Sequence, residues 1–123
     1  MTEQPLISVV DDDAGVRRSL DGLVRSLGYR VAMFESAEAF LESPCASTSR
    51  CVISDVQMPG GMSGIELAHA LGTSDAATPV ILISAFVDEK VKGLAKAAGA
   101  HCFLKKPFDG DVIIACLEKA LQP

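Results

Sequence analysis

Hydrophobic positions along the chain follow two alternating patterns. Short, nearly continuous apolar runs occupy residues 6–10, 51–54 and 80–83, and such runs are what strands buried on both faces of a parallel sheet require. Between them the apolar residues recur at helical spacing. Val16, Leu20, Leu23, Val24 and Leu27 form one stripe, which Gly28 stops. Residues 30–34 read as a second strand, and Ser36 then precedes a helix over 37–43, with Glu38 early in its first turn, where the helix dipole favours an anion. Pro44 ends that helix, and the small polar residues 45–50 predict a surface loop.

The second half repeats the alternation. A helix over 63–71 turns Ile65, Leu67, Ala68 and Leu71 inward, and a helix over about 88–98 exposes Lys90, Lys92 and Lys96 before Gly99 ends it. Residues 101–104 predict a fifth strand. The closing helix, 111–121, turns Val112, Ile113, Cys116, Leu117 and Leu121 inward. The sum is (βα)5, an α/β chain whose right-handed crossovers predict a doubly wound, five-stranded parallel sheet covered by helices on both faces. At 123 residues the whole chain, 1–123, is expected to be one domain.

Composition narrows the function classes. A formal charge of −5 with scattered Lys and Arg argues against direct nucleic-acid binding by this chain, because phosphate contacts need a clustered positive face. No apolar run approaches membrane-spanning length, so a soluble, cytoplasmic protein is expected. Cys45, Cys51, Cys102 and Cys116 have no metal-binding spacing and are expected to be small buried or half-buried thiols in a reducing compartment.

In doubly wound sheets ligands sit beyond the carboxyl ends of the strands. Those positions hold Asp11, Asp12 and Asp13 after strand 1, Asp55 after strand 3, Ser84 after strand 4 and Lys106 after strand 5. Each has an ordinary structural reading as a helix cap, a turn residue or a surface lysine. Their coincidence on one sheet edge is what points to chemistry. Several carboxylates with only oxygen ligands nearby suit a hard cation such as Mg2+. Together with a lysine and a hydroxyl, such a cation would cradle a phosphoryl group, and a carboxylate is the natural nucleophile within it.

Four segments, VVDDD (9–13), DVQMPGGMSG (55–64), ILISA (81–85) and FLKKPF (103–108), resemble the receiver domain of two-component response regulators over essentially the whole chain. The resemblance implies a flavodoxin-like receiver fold with strand order 2-1-3-4-5. It also implies that Asp55 accepts a phosphoryl group from a histidine kinase or phosphotransfer protein. Asp11, Asp12 and Asp55 would bind Mg2+ or Mn2+ with the backbone carbonyl of Gln57. Ser84 and Lys106 would contact the phosphoryl group, with no catalytic residue beyond these. A cis Lys106–Pro107 bond is implied as well, and Phe103 stands at the switch aromatic of the family, although a plain core ring competes as its reading. The implied output surface is the fourth helix, fifth strand and fifth helix of the (βα)5 count, serving a homodimer or an output domain. FESAEAFL (34–41) is similar to the subgroup often fused to a helix-turn-helix domain. Gln57 and Phe86, two residues beyond Asp55 and Ser84, are placed to gate an attacking water.

One departure is visible: the loop after Asp55 is one residue longer than the pattern D-x-x-M-P-x-M-x-G, through Gly60–Gly61. Two other readings compete. VVDDDAGV also fits a haloacid-dehalogenase-like phosphatase, with Asp11 as nucleophile and Asp13 as acid/base, but only Asp109 and Asp111 could supply the late acidic pair such an enzyme needs. A receiver serving only as an unphosphorylated interaction module would not need Asp11, Asp12, Asp55, Ser84 and Lys106 together.

Overall fold

The strands β1 (Leu6–Val10), β3 (Cys51–Asp55) and β4 (Val80–Ser84) are buried at every residue, as their apolar runs demand. In the computed structural model, which describes residues 4–74 and 77–122, they form the middle of a sheet whose order is β2-β1-β3-β4-β5. β2 (Arg30–Phe34) and β5 (Cys102–Lys105) are its edges, and every pairing is parallel.

Successive side chains of a strand alternate between the sheet's faces, and two apolar layers result. Val10, Val52 and Leu82 pack with Phe40, Leu67, Leu71 and Ala95 on the side covered by α2 (Ala37–Glu42), α4 (Gly64–Gly72) and α5 (Glu89–Ala97). Ile7, Val9, Ile53, Ile81 and Ile83 pack with Leu20, Val24, Ile113 and Leu117 beneath α1 (Ala14–Ser26) and α6 (Gly110–Ala120). Each fully buried Ile or Leu contributes about 1.5–3 kcal/mol through the area it removes from water. No helix among the described residues is long and apolar enough to cross a membrane.

The helix starts are capped locally. Asp13, Ser36, Ser63, Asp88 and Asp109 each accept a first-turn backbone N–H, and Ser63 with Glu66 forms a capping box. Lys90, Lys92 and Lys96 form the exposed face expected of α5. Cys51 and Cys116 are buried and Cys45 and Cys102 half-buried, all as free thiols, and burial pushes the Cys51 and Cys102 thiols up to about 12.

Four details differ from the sequence reading. The predicted loop 45–50 contains a helical turn, α3 (Cys45–Thr48), in which the Ser47 and Thr48 hydroxyls donate back to the Pro44 carbonyl. Val112 points outward, 42% exposed, because the inner stripe of α6 runs through Ile113, Cys116 and Leu117, and one helical step rotates a side chain by about 100°. Asp55 and Ser84 are the last residues of their strands rather than the first beyond them. β5 starts and ends one residue later than predicted, and the ladder is extended past its end by the Lys106 N–H donating to the Ser84 carbonyl at 2.8 Å.

Candidate functional site

Strand order reverses between β1 and β3: the chain leaves β1 for β2 on one side and returns to β3 on the other. The carboxyl ends of β1 and β3 therefore flank the crevice that such a reversal opens. β1 delivers Asp11 and Asp12 there, and β3 delivers Asp55. One carboxylate oxygen from each of the three lies within 4.8 Å of the others.

Asp11 is buried and Asp12 exposed. The Asp13 backbone N–H donates to Asp11 Oδ1 at 2.9 Å, and the Gln57 N–H donates to Asp55 Oδ1 at 3.3 Å. Lys106 reaches over from the far edge of the sheet, its Nζ lying 3.0 Å from Asp11 Oδ2 and 3.1 Å from Asp55 Oδ2. The Lys106–Pro107 peptide is cis.

Burial raises the Asp11 carboxyl above its ordinary value; the charge of Asp55 adds to this, while the hydrogen bonds from the Asp13 backbone and Lys106 oppose it. For Lys106, burial favours the neutral amine. The bonds to Asp11 and Asp55 outweigh it and hold the ammonium above its usual range. Three carboxylates against one ammonium leave a formal charge of −2, and an all-oxygen donor set of that charge suits a hard dication.

Ser84 is buried at the end of β4, next to the strand position that pairs with Asp55. Its hydroxyl donates to the Phe86 carbonyl at 2.7 Å and accepts the Phe86 N–H at 3.1 Å, with the Gln57 side-chain amide 3.3 Å away. Phe86 itself is 70% exposed. Phe103 stands apart from the carboxylates: it is half-buried against the layer under α2, α4 and α5, opposite Leu82 in the β4–β5 register.

Asp13 spends its carboxylate on capping α1, accepting from Gly15 and Val16, and those bonds lower its pKa. Asp109 caps α6 by accepting from the Asp111 N–H. The acidic cluster among the described residues thus recruits Asp55 rather than the late pair a phosphatase of the competing class would need. Arg17 is a site-supporting residue that sequence reasoning missed: its Nη1 donates to the Asp11 carbonyl at 2.6 Å, holding the loop that carries Asp11 and Asp12. A cation in the first turn of α1, one helical turn beyond three aspartates, was the only available signal.

The sequence profile described as "Response regulator receiver domain" matches residues 7–118. Among curated proteins, the chain is 38% identical over 122 residues to the transcriptional regulatory protein FixJ of Bradyrhizobium diazoefficiens, covering 99% of this chain and 59% of FixJ. It is 37% identical over 117 residues to the response regulator protein TodT of Pseudomonas putida, covering 95% of this chain and 51% of TodT. The chain thus spans little more than half the length of these relatives. Among solved structures, it is similar to FixJ-N at 37% identity and a TM-score of 0.83, over 98% of this chain and 95% of that one. The BeF3-activated DrrB receiver domain matches at 28% identity and a TM-score of 0.86, over 98% of this chain and all of that one (100%).

Proposed function

This chain belongs to the response regulator receiver domain family of two-component signalling, and from that premise we propose that Asp55 is its phosphoryl acceptor. The observation that carries the assignment is a contrast within the cluster. The Asp11 side chain is 0% exposed and has no opening toward an external donor, whereas the Asp55 side chain is 9% exposed while still touching the Lys106 ammonium. Asp12 is exposed, and the Lys106 ammonium bonds to Asp11 and Asp55 instead. Asp55 alone is both reachable and electrostatically prepared.

In the transfer, an Asp55 carboxylate oxygen forms a new O–P bond as the donor's bond to phosphorus breaks. With a phosphohistidine donor the bonding pair leaves with the imidazole nitrogen, which takes a proton; with acetyl phosphate it leaves with acetate. Asp11 and Asp12, with Asp55 and the Gln57 carbonyl, would hold Mg2+ or Mn2+. The bound ion supplies charge neutralisation for the phosphoryl oxygens. Lys106 would contribute a point charge to the phosphoryl group, already positioned by its two carboxylate contacts.

The added group carries nearly two negative charges. It would compete with the Phe86 carbonyl for the Ser84 hydroxyl and draw that residue toward the site, releasing the turn at 84–86. Phe103 would then repack on β5, and the change would reach the face made by α5, β5 and α6. A histidine kinase or phosphotransfer protein as donor, an output domain or second copy as reader, and a cytoplasmic setting all belong to this proposal.

Acetyl phosphate with Mg2+ should add a single phosphoryl group, mapped to Asp55 by mass spectrometry, and chelation with EDTA should prevent it. An adduct that forms equally well in EDTA would remove the metal from the scheme. The Lys106→Ala variant should still take up the group but lose most of the phosphorylation-dependent NMR shifts in β5 and α6. Shifts as large as those of the wild type in this variant would take away the lysine's assigned role.

A further inference from the structure

The β3–α4 loop runs from Val56 to Ser63 and carries Gln57 near its start. Its two ends are pinned: the Val56 N–H donates to the Ile83 carbonyl at 2.8 Å, and the Gly64 N–H donates to the Val56 carbonyl at 2.9 Å. Met58 is buried in the core just after Gln57. Past it the chain has an exposed Pro59–Gly60–Gly61 stretch, where the extra residue is accommodated and Gly60 adopts φ +85°, a conformation that suits glycine. Two adjacent glycines leave this segment with more backbone freedom to lose than any other pair of residues would.

A residue from another element restrains it. Glu38 of α2, 24 positions earlier, accepts the Met62 N–H at 2.6 Å. That bond, made by an ionised carboxylate, is of the stronger class and lowers the Glu38 pKa below the ordinary glutamate range. The same carboxylate lies over the bare Cα of Gly61: a Cβ there would come within 2.6 Å of Glu38 Oε2 and 2.9 Å of Oε1. The glycine and the glutamate are therefore matched, since a side chain at position 61 would push the Glu38 carboxylate away from its present place. Glu38, Met58, Pro59, Gly60, Gly61 and Met62 wall a cavity of about 220 Å³ that also reaches Asp12.

We propose that Glu38 is a positioning residue for the metal-binding step: by clamping the lengthened loop at Met62 it holds the wall beside Asp12 and the segment that presents the Gln57 carbonyl. The inference rests on the reading of Asp11, Asp12, Asp55 and Gln57 as the metal site. Glu38 acts through the loop and not as a ligand, because its carboxylate is engaged by the Met62 amide.

The test measures Mg2+ affinity by calorimetry and Met62 amide exchange by NMR in the unphosphorylated domain. Glu38→Ala should bind Mg2+ about tenfold more weakly, the size of effect seen when a group supporting a metal's ligands is removed, and should expose the Met62 amide to exchange. Glu38→Gln keeps an oxygen acceptor and should stay within about twofold of wild type. Gly61→Ala should resemble Glu38→Ala, and the double variant should be no worse than either single one, because both break one contact. Three results would overturn the inference: Mg2+ affinity in Glu38→Ala within about twofold of wild type, Met62 protection that persists in it, or Glu38→Gln as weak as Glu38→Ala, which would assign the effect to charge. A wild-type domain that takes up no Mg2+ would instead defeat the metal-site reading itself, and this inference with it.

Discussion

Replacing Asp55 by Asn should abolish phosphoryl incorporation from acetyl phosphate or a phosphorylated kinase while leaving the domain folded. The amide is nearly isosteric but cannot form an acyl phosphate, since its oxygen is uncharged and far less nucleophilic and its nitrogen lone pair is delocalised into the carbonyl. The structural cost should be small. Asp55 accepts one hydrogen bond on each oxygen, from Gln57 and Lys106, and Asn retains one acceptor oxygen, so the loss is on the order of 1 kcal/mol. Intact-mass measurement with far-UV circular dichroism separates the two effects. The same adduct on the variant would end the assignment of Asp55, and an adduct mapped to Asp11 would revive the phosphatase reading.

Gly64→Ala should be the most damaging of this chain's glycine-to-alanine changes. A Cβ at Gly64 would stand 2.1 Å from the Asp55 carbonyl oxygen, 2.8 Å from its carbon and 3.0 Å from Val56 Cα. All three are backbone atoms at the end of a central strand and cannot swing aside. Either α4 must start elsewhere or the end of β3 must move, and forcing extra volume into such a contact costs about 1–3 kcal/mol. Two of the three atoms belong to the proposed acceptor, and a misplacement of about 1 Å can cost on the order of a hundredfold in rate, so phosphorylation should slow sharply. Gly22→Ala is the matched control: its Cβ meets nothing within 4 Å, and in a helix interior the change should be neutral or stabilise by up to about 1 kcal/mol. Thermal melting and phosphorylation rates check both, and a Gly64→Ala protein matching wild type in both would refute the clash.

The legible parts of this protein are those encoded by neighbours in sequence. The runs at β1, β3 and β4 are buried on both faces, and burial requires the apolar continuity seen in the sequence. Caps such as Ser36 and Ser63 bond backbone only three residues away, so their signal is also local. The misreadings were of the same local kind. Val112 looked like part of an apolar stripe, but a valine one position before Ile113 falls on the neighbouring face, and apolar identity alone does not set the phase of a helix. Residues 45–50 looked like loop because their composition is polar, yet those same hydroxyls satisfy Pro44 and close a helical turn.

The sequence by itself determined the alternation of strand and helix, the parallel sheet, and the edge along which Asp11, Asp12, Asp55, Ser84 and Lys106 would be found. It did so because hydrophobic period and strand ends are properties of adjacent residues. Tertiary structure alone decided how those groups meet. Lys106 bridges carboxylates 95 and 51 positions away, and that contact depends on β5 taking the edge of the sheet and on register across β1, β3, β4 and β5. Glu38, which from the sequence was only an acid near a helix start, becomes the partner of Met62 because the chain crosses over and lays α2 beside a loop with one extra glycine. No spacing rule along the chain encodes that meeting, since it is made by packing two elements that the sequence leaves free to lie apart.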